Sequence, residues 1–258
     1  MHLLYPSDPY EKSQVDEAYV EELAAVAALG LSHSLFSFED FESDKFNPKQ
    51  ALPVGADILY RGWMMTPEAY ERLFNAVKSE RAQLKTGVVE YRRCHYLPEW
   101  YSLCTDFTPE TIVADSNADF VSLMEGKHWP AFFVKDYVKS LTTSRGSVAQ
   151  SPDGIADVVS LIEKYRGAVE GGVCIRKFED LVPETEERYF VMNGRACARD
   201  GDVPALVQEI AKRIRSPFYS VDTVLATTGE LRLIELGDGQ VSDRKKWSPE
   251  RFAAMLHV

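Results

Sequence analysis

The stretch that decides the fold is Ser220–Gln240, SVDTVLATTGELRLIELGDGQ. Two runs rich in apolar and β-branched residues flank Thr228-Gly229, which predicts a hairpin with a two-residue turn. Counting outward from that turn places Asp222 directly opposite Glu235, on one face of the strand pair. Two carboxylates so close repel each other unless a cation lies between them. A divalent cation with oxygen ligands meets that need.

Asp238 follows the second strand and is predicted to add a third oxygen, with Gln240 as a weaker candidate. The alternative is a solvent-facing hairpin whose acidic side chains are simply hydrated. The count depends on the register, because a slip of one residue moves every side chain to the other face. The flanking residues that argue against simple exposure are apolar: Val221, Val224, Leu233 and Leu236.

Composition and charge exclude several classes of protein. The chain has 258 residues, of which 45% are hydrophobic and 27% charged, as in ordinary globular proteins. The net charge is −11, and residues 1–45 hold ten acidic and two basic side chains, a local charge of −8. This distribution predicts neither nucleic acid nor a membrane as a partner. The four scattered cysteines and the absence of a signal-like N-terminus predict a cytoplasmic protein with reduced thiols.

Two domains are predicted, residues 1–125 and residues 126–258, in a fold of the α+β or α/β class. Strands alternate with helices in the first, which predicts an α/β layer. The predicted strands there are His2–Tyr5, Leu35–Phe38 and Asp57–Arg61, with helices Val15–Leu29 and Pro67–Ser79. The aromatic segment 95–107 has no clear prediction. The predictions for the second domain are strands Trp129–Asp136, Gly172–Phe178, Arg188–Met192, Arg195–Ala198, Phe218–Ala226 and Leu231–Leu236, and helices Asp153–Arg166, Val203–Arg215 and Pro249–Leu256.

A set of basic residues lies at strand ends in the middle of the chain. In an acidic protein, such cations suit a polyphosphate, with Lys as a point charge and Arg as a planar fork. A loop at 141–147, rich in Ser, Thr and Gly, is predicted to close over phosphates with backbone N–H groups. The alternative is that these cations pair with surface acids. The set comprises Lys135, Lys139, Arg145, Arg176, Lys177 and Arg188.

The segment LYRGWMM (Leu59–Met65) supplies one further candidate. Arg61 is predicted either to project from a tight turn into a cleft or to stack on Trp63. The sequence contains neither the P-loop motif nor the dinucleotide GxGxxG motif, and it lacks the GxSxG of triad hydrolases.

Taken together, four segments resemble the ATP-grasp superfamily of carboxylate–amine ligases. The resemblance covers about residues 55–245 and is strongest to a compact bacterial and phage clade marked by paired arginines and a lysine. It implies an N-terminal α/β preATP-grasp-like domain followed by two antiparallel-sheet subdomains that sandwich ATP. The segments are FVKDY (133–137), GGVCIRKFEDL (171–181), ERYFVMNG (187–194) and IELGDGQVS (234–242), with RGWMM (61–65) supporting the clade.

The resemblance also implies roles for individual residues. Lys135, Lys139 and Arg145 would bind the nucleotide, Arg176 would lead into the adenine hinge, and Lys177 and Phe178 would offer backbone groups to adenine. Glu186 would hold the ribose hydroxyls, with Glu184 and Glu187 as competitors. Arg188, Lys139 and Arg61 would be catalytic. Asp222 and Glu235 would bind Mg²⁺. The family's third ligand, an Asn two residues after the Glu, is Gly237 here, so that Asp238 or Gln240 would substitute.

The implied activity is an ATP-dependent ligase that forms amide or peptide bonds through an acyl phosphate. Its partners would be ATP and Mg²⁺, together with a carboxylate and an amine from an amino acid, a peptide or a protein tail. The altered third metal position favours a rival interpretation, a regulatory nucleotide-binding module without ligase chemistry. A phosphotransferase on the same fold is a third possibility.

Overall fold

The computed structural model describes residues 1–141 and 146–257. The strands are β1 (His2–Pro6), β2 (Ser32–Phe36), β3 (Asp57–Tyr60), β4 (Gln83–Leu84), β5 (Thr111–Ala114), β6 (Phe132–Asp136), β7 (Val148–Ala149), β8 (Val173–Lys177), β9 (Leu181–Met192), β10 (Arg195–Cys197), β11 (Phe218–Ala226) and β12 (Leu231–Asp238). The α-helices are α1 (Val20–Ala28), α2 (Phe38–Glu42), α3 (Pro67–Ser79), α4 (Val88–His95), α5 (Leu97–Tyr101), α6 (Phe120–Leu123), α7 (Asp153–Arg166), α8 (Ala205–Arg213) and α9 (Pro249–Leu256).

The chain forms two compact units, and neither is a continuous stretch. Unit 1 comprises residues 1–92, 188–221 and 237–258, and unit 2 comprises residues 93–187 and 222–236. The predicted boundary at 125/126 therefore falls inside unit 2. Composition and turn signals are local, so they do not reveal a chain that leaves a unit and later returns to it.

Unit 1 contains a parallel sheet in the order β2-β1-β3-β4. The central strand β1 pairs with β2 and β3, and every residue of β1 is buried. Because side chains alternate along a strand, Leu3 and Tyr5 enter one hydrophobic cluster and Leu4 enters another. The first cluster also contains Phe252 of α9, and the second contains Leu73 of α3. The predicted α/β layer is thus confirmed.

Helix boundaries in unit 1 follow local signals. The Thr66 hydroxyl accepts a hydrogen bond from the N–H of Ala69, and Pro67 occupies the first turn, where no N–H is needed. Ser248 caps α9 in the same way. Both helices have the predicted bounds. Helix α1 begins five residues later than predicted, because the 3-10 turn Glu17–Tyr19 precedes it.

Unit 2 contains an antiparallel sheet in the order β5-β8-β6-β7. Helix α7 packs on it through Ile155, Val158 and Ile162, which join a cluster with Val134 and Ile175. Its bounds match the prediction. The aromatic segment without a prediction contains the last residue of α4 and all of α5.

A further sheet has the order β10-β9-β11-β12. At Asn193-Gly194 the prediction of a two-residue hairpin is confirmed, because Met192 pairs with Arg195 and both turn residues have positive φ. Within the described residues, no helix is long and apolar enough to cross a membrane.

The turn between β11 and β12 differs from the prediction. The Gly229 N–H donates to the Ala226 carbonyl, and the Ala226 N–H donates to the Glu230 carbonyl. These bonds make a three-residue loop, Thr227-Thr228-Gly229, so the two-residue turn is wrong. Gly229 has φ of +86° and is the loop residue that needs the left-handed region.

The new turn changes the count along the hairpin. Extended from Ala226–Glu230 without a bulge, the ladder places Asp222 opposite Ile234 and not opposite Glu235. The buried positions of β12 do not alternate strictly, since both Leu233 and Leu236 are buried. A simple count therefore does not carry along this strand, and the direct opposition of Asp222 and Glu235 stays a prediction.

Candidate functional site

Unit 2 holds a cavity of about 420 Å³. Its walls are mostly apolar, and its charged groups come from three strands: Lys135 from β6, Arg176 from β8 and Glu235 from β12. An apolar slot with a few convergent polar groups is the usual form of a small-molecule site. The remaining lining residues are Pro109, Phe133, Ser140, Val148, Lys177, Phe178, Glu179, Leu181, Pro183 and Ile234.

Lys135 and Glu235 form the ion pair of this cavity. The Lys135 Nζ lies 2.9 Å from the Glu235 Oε1. The lysine side chain is only 6% exposed, whereas that of the glutamate is 43% exposed. Two predicted ligand-binding residues are thus brought together, with the lysine held in the wall and the carboxylate facing solvent.

Arg176 lies beside this pair and is buried. Its Nη1 donates to the Ile234 carbonyl at 2.9 Å, and its Nη2 donates to the Thr108 hydroxyl at 2.6 Å. Its Nε is buried without a partner among the described residues. Burial lowers the pKa of the Arg176 guanidinium, and the nearby Glu235 charge opposes that effect. Arg176 therefore fixes β12 against β8 and keeps one donor unused.

The backbone at the end of β8 differs from the expectation for an adenine hinge. The Lys177 N–H donates to the Glu110 carbonyl, and the Phe178 N–H donates to the Ala131 carbonyl. Both donors are therefore used by the neighbouring chain, although both residues line the cavity. Within the described residues, the N–H of Glu179 has no acceptor, so Glu179 supplies the first available donor after the strand.

The turn after β6 holds Lys139 at the surface. The Asp136 carboxylate accepts hydrogen bonds from the N–H groups of Val138 and Lys139 and also pairs with Arg166. The Leu141 N–H donates to the Ser147 hydroxyl at 2.8 Å, which ties the two ends of the predicted phosphate loop together. Arg145 and the rest of 142–145 lie outside the described residues.

His95 is buried next to these lysines. Burial lowers the pKa of its imidazole to about 4, and the positive charges of Lys139 and Lys135 act in the same direction. At neutral pH the ring is therefore uncharged. Sequence reasoning had assigned no role to this residue.

The metal assignment rests on a small donor set. Among the residues that the structure describes, no three His, Cys, Asp or Glu side chains are grouped to hold a metal ion. Mg²⁺ at a nucleotide needs fewer protein ligands, because it keeps waters and binds one or two carboxylates plus phosphates. Asp222 on β11 and Glu235 on the adjacent β12 are oxygen donors of that kind. These two residues fit Mg²⁺ bound together with a polyphosphate.

Asp238 belongs to unit 1 and is fully buried. Its Oδ1 accepts hydrogen bonds from the backbone N–H and the side-chain amide of Gln240, both at 3.0 Å. Its Oδ2 has no partner among the described residues. Burial raises the pKa of the Asp238 carboxyl to about 7. Gln240 itself is occupied, since its amide also donates to the Tyr70 hydroxyl and accepts from the Tyr60 N–H.

The prediction that Arg61 projects into a cleft is wrong. Its side chain is 1% exposed and makes two bonds of 2.8 Å to the Glu22 carboxylate. The alternative prediction of stacking on Trp63 is also wrong, because the guanidinium lies 4.6 Å from the Phe252 ring centre. The remaining nitrogen donates to three backbone carbonyls, those of Gly239, Gln240 and Ser242. Arg61 therefore has a structural role and stabilises the segment after β12.

Two further predicted residues lie on β9. Arg188 belongs to unit 1, where its Nη1 lies 2.7 Å from the Asp243 Oδ1 and its carbonyl accepts from the Trp247 indole. Glu186 belongs to unit 2 and is half-buried, and it does not line the cavity described above. The ribose and phosphate roles of these residues stay predictions.

Sequence reasoning missed several residues that shape the cavity. Thr108 and Ile234 hold Arg176, and Arg232 binds the Glu179 carboxylate with two bonds of 2.8 and 3.0 Å. The alternation of Arg232 with apolar neighbours in LRLIEL was a usable signal for a partnered cation. The bond from Arg176 to a carbonyl 58 residues away had no local signal.

Comparison with solved structures places this fold. The crystal structure of D-cycloserine synthetase DcsG superposes with a TM-score of 0.65 at 14% identity, covering 99% of this chain and 97% of that chain. D-alanyl-alanine synthetase A from Vibrio cholerae gives 0.63 at 14% identity, with coverages of 99% and 95%. The ATP-grasp ligase PsnB, complexed with precursor peptide PsnA2 and AMPPNP, gives 0.62 at 12% identity, with coverages of 99% and 96%.

A search of curated protein sequences gave no significant match. A family model for an ATP-grasp domain, the third family of the clade named for two arginines and a lysine, matches residues 4–256, nearly the whole chain. The resemblance found in the sequence is thereby confirmed, and the chain belongs to this ATP-grasp family.

Proposed function

We propose that the protein is an ATP-dependent carboxylate–amine ligase that forms an amide or peptide bond. The observation that carries the proposal is the cavity of unit 2, where Lys135, Arg176 and Glu235 converge on an apolar slot. The slot suits a nucleobase, the two cations suit phosphates, and the carboxylate suits a metal bound to those phosphates.

The proposed reaction has two steps. A substrate carboxylate oxygen attacks the γ-phosphorus of ATP, ADP leaves, and an acyl phosphate forms. An amine then attacks the acyl carbon, loses its proton, and displaces inorganic phosphate to give the amide. Mg²⁺, when bound, would bridge β- and γ-phosphate oxygens and neutralise the charge that develops. The protein's part is positioning and electrostatics, so no covalent nucleophile is needed.

The cations have proposed parts in binding the phosphates. Lys135 and Arg176 would bind phosphate oxygens, with Lys139 at the exposed turn nearby. Arg188 would contact the terminal phosphate after exchanging its present bond to Asp243.

The remaining groups would serve the base and the metal. The Glu179 N–H would donate to the base, because the N–H groups of Lys177 and Phe178 are already used. Asp222 and Glu235 would hold Mg²⁺.

The substrates are proposed as a carboxylate and an amine from an amino acid, a peptide or a protein tail. The neighbour PsnB binds a precursor peptide together with AMPPNP, which supports a peptide among these choices. The chain's four cysteines are all free thiols, which supports a cytoplasmic location.

A thermal-shift titration tests the nucleotide site first. We expect ATP with Mg²⁺ to raise the melting temperature, because a ligand that binds only the folded state stabilises it. Glu235→Gln should lose the Mg²⁺-dependent part of the shift. Glu163→Gln on the exposed side of α7 is the matched control and should keep it. No shift with millimolar ATP in the wild-type protein would contradict the proposal.

Product analysis then tests the chemistry. ADP release should depend on added amino acids or dipeptides, and mass spectrometry should detect an amide. A phosphorylated product without an amide would indicate a phosphotransferase. Nucleotide binding without acceptor-dependent ADP release would indicate a regulatory binding module.

A further inference from the structure

A second cavity, of about 480 Å³, lies in unit 1 beside the edge strand β4. In open sheets of parallel strands, ligands bind at the carboxyl ends of the strands. Lys85 and Gly87 follow directly on that end of β4, and Glu90 lies in the first turn of α4. The lining residues are Phe74, Gln83, Leu84, Lys85, Gly87, Glu90, Arg215, Ser216 and Pro217.

Three polar groups of this cavity have unused bonding capacity. Within residues 1–141 and 146–257, neither the Lys85 ammonium nor the Glu90 carboxylate has an ion-pair partner, and the two do not pair with each other. Both side chains belong to half-buried residues. The Ser216 hydroxyl is buried, and it too has no partner among the described residues.

The position of Glu90 is fixed by a glycine. A Cβ on Gly87 would collide with the Glu90 carboxylate, so the carboxylate lies directly over the backbone at the start of α4. This is the third residue after Gly87, the spacing at which an acidic side chain folds back on a helix start. The carboxylate is thereby held in the cavity wall.

We propose that this cavity binds the zwitterion of a small α-amino acid, with its carboxylate on Lys85 and Ser216 and its ammonium on Glu90. A ligand of one charge would leave the opposite group of the protein uncompensated, whereas a zwitterion satisfies both. Phe74, Leu84 and Pro217 line the same cavity and provide apolar surface for a small side chain. Arg215, already bonded within the protein, adds positive charge.

An amino acid is among the substrates proposed above, but this inference concerns binding in unit 1 and is tested apart from nucleotide binding. Calorimetric titration with L-alanine is the first measurement. Propionate is alanine without the ammonium, and ethylamine is alanine without the carboxylate. We expect alanine to bind at millimolar concentration and both analogues to bind more weakly by roughly tenfold or more.

Variants then test the residues. Lys85→Gln and Glu90→Gln should each weaken alanine binding by roughly tenfold or more, and Ser216→Ala should weaken it by a smaller factor. Glu90→Gln removes the charge but keeps a side chain that can fold back on the helix start, so the fold is preserved. Lys78→Gln, an exposed lysine in the last turn of α3, is the matched control and should change nothing.

Three results would overturn the proposal. One is the absence of alanine binding at millimolar concentration in a folded protein. A second is propionate binding as tightly as alanine with Glu90→Gln unaffected, which would show a simple anion site. The third is an equal loss in Lys78→Gln, which would show a general charge effect. ATP affinity measured in the same variants should not change, so failure here is distinguishable from failure of the nucleotide site.

Discussion

Two cation–carboxylate pairs in this protein look alike in sequence terms and differ in every physical respect. Arg61–Glu22 in unit 1 is bidentate, and both side chains are 1% exposed. Lys135–Glu235 in unit 2 is a single contact of 2.9 Å between a buried lysine and a carboxylate that is 43% exposed. The first pair is closed to ligands, and the second lines a cavity.

The difference shows how exposure separates structural charges from charges available to ligands. Arg61 bonds three further carbonyls, so displacing it would leave several buried polar groups unsatisfied. Glu235 can leave Lys135 and remain hydrated, so a metal can take one partner and a phosphate the other. The same substitution, a cation replaced by Met, should therefore affect stability at one pair and ligand binding at the other.

The largest effect is expected for Arg61→Met. Removing the guanidinium leaves Glu22 as an uncompensated buried charge, which should lower the free energy of unfolding by about 3–5 kcal/mol. Urea unfolding followed by circular dichroism measures it. Lys12→Met, which breaks the exposed pair with Asp40, is the control and should leave the urea midpoint unchanged. A small effect at Arg61 would mean that the buried pair does not determine stability in unit 1.

The pH dependence of stability provides a second test, at His95 beside Lys135. The folded-state pKa of about 4 lies below the ordinary value of 6.5, so the unfolded chain takes up a proton first as the pH falls. The contribution of His95 to stability is therefore complete above pH 6.5 and is lost as the pH falls towards 4, a change of about 3 kcal/mol.

His95→Gln should flatten that part of the curve. Urea midpoints of both proteins, measured from about pH 7 to about pH 4, should diverge most at neutral pH and converge at the acidic end. Parallel curves would contradict a buried neutral imidazole next to the cations of the cavity. His257, at the C-terminal end of α9, supplies the control His257→Gln, whose curve should match the wild type.

Lys135→Met is the counterpart of Arg61→Met. Because Glu235 stays hydrated when its partner is lost, the free energy of unfolding should change by only ~1 kcal/mol. The affinity for ATP with Mg²⁺ should instead fall at least about tenfold, ~1.4 kcal/mol. Calorimetric titration measures it. A destabilisation as large as that of Arg61→Met would remove the distinction between the two pairs.

The contrast also shows what the sequence reveals about a site. Helices α3, α7 and α9 were predicted with their observed bounds because their caps and apolar spacing are local. The Asn193-Gly194 turn was predicted for the same reason, as both residues tolerate positive φ. The grouping of Lys135, Arg176 and Glu235 in one cavity was also expected, and here the resemblance to a family supplied what local patterns lack.

Long-range partners were not predictable. Nothing near Arg61 indicates that Glu22, 39 residues away, will bind it. The two-residue turn at Thr228-Gly229 failed because a β-branched Thr disfavours positive φ, and the chain uses a three-residue loop. The N–H groups of Lys177 and Phe178 are used because β8 lies between β5 and β6, an order that local patterns do not reveal.

The smallest effect is expected at a pair of intermediate character, Arg188–Asp243, whose side chains are 10% and 76% exposed. Asp243→Asn should change the free energy of unfolding by less than ~0.5 kcal/mol, because the carboxylate is largely hydrated and Arg188 keeps the Asp243 carbonyl as an acceptor. If Arg188 contacts phosphate during the reaction, it must give up this carboxylate, and the variant should then bind ATP with Mg²⁺ slightly more tightly. Unfolding and ATP titrations of the same sample measure both quantities. Weaker ATP binding in Asp243→Asn would mean that the carboxylate positions Arg188 and does not compete with phosphate for it.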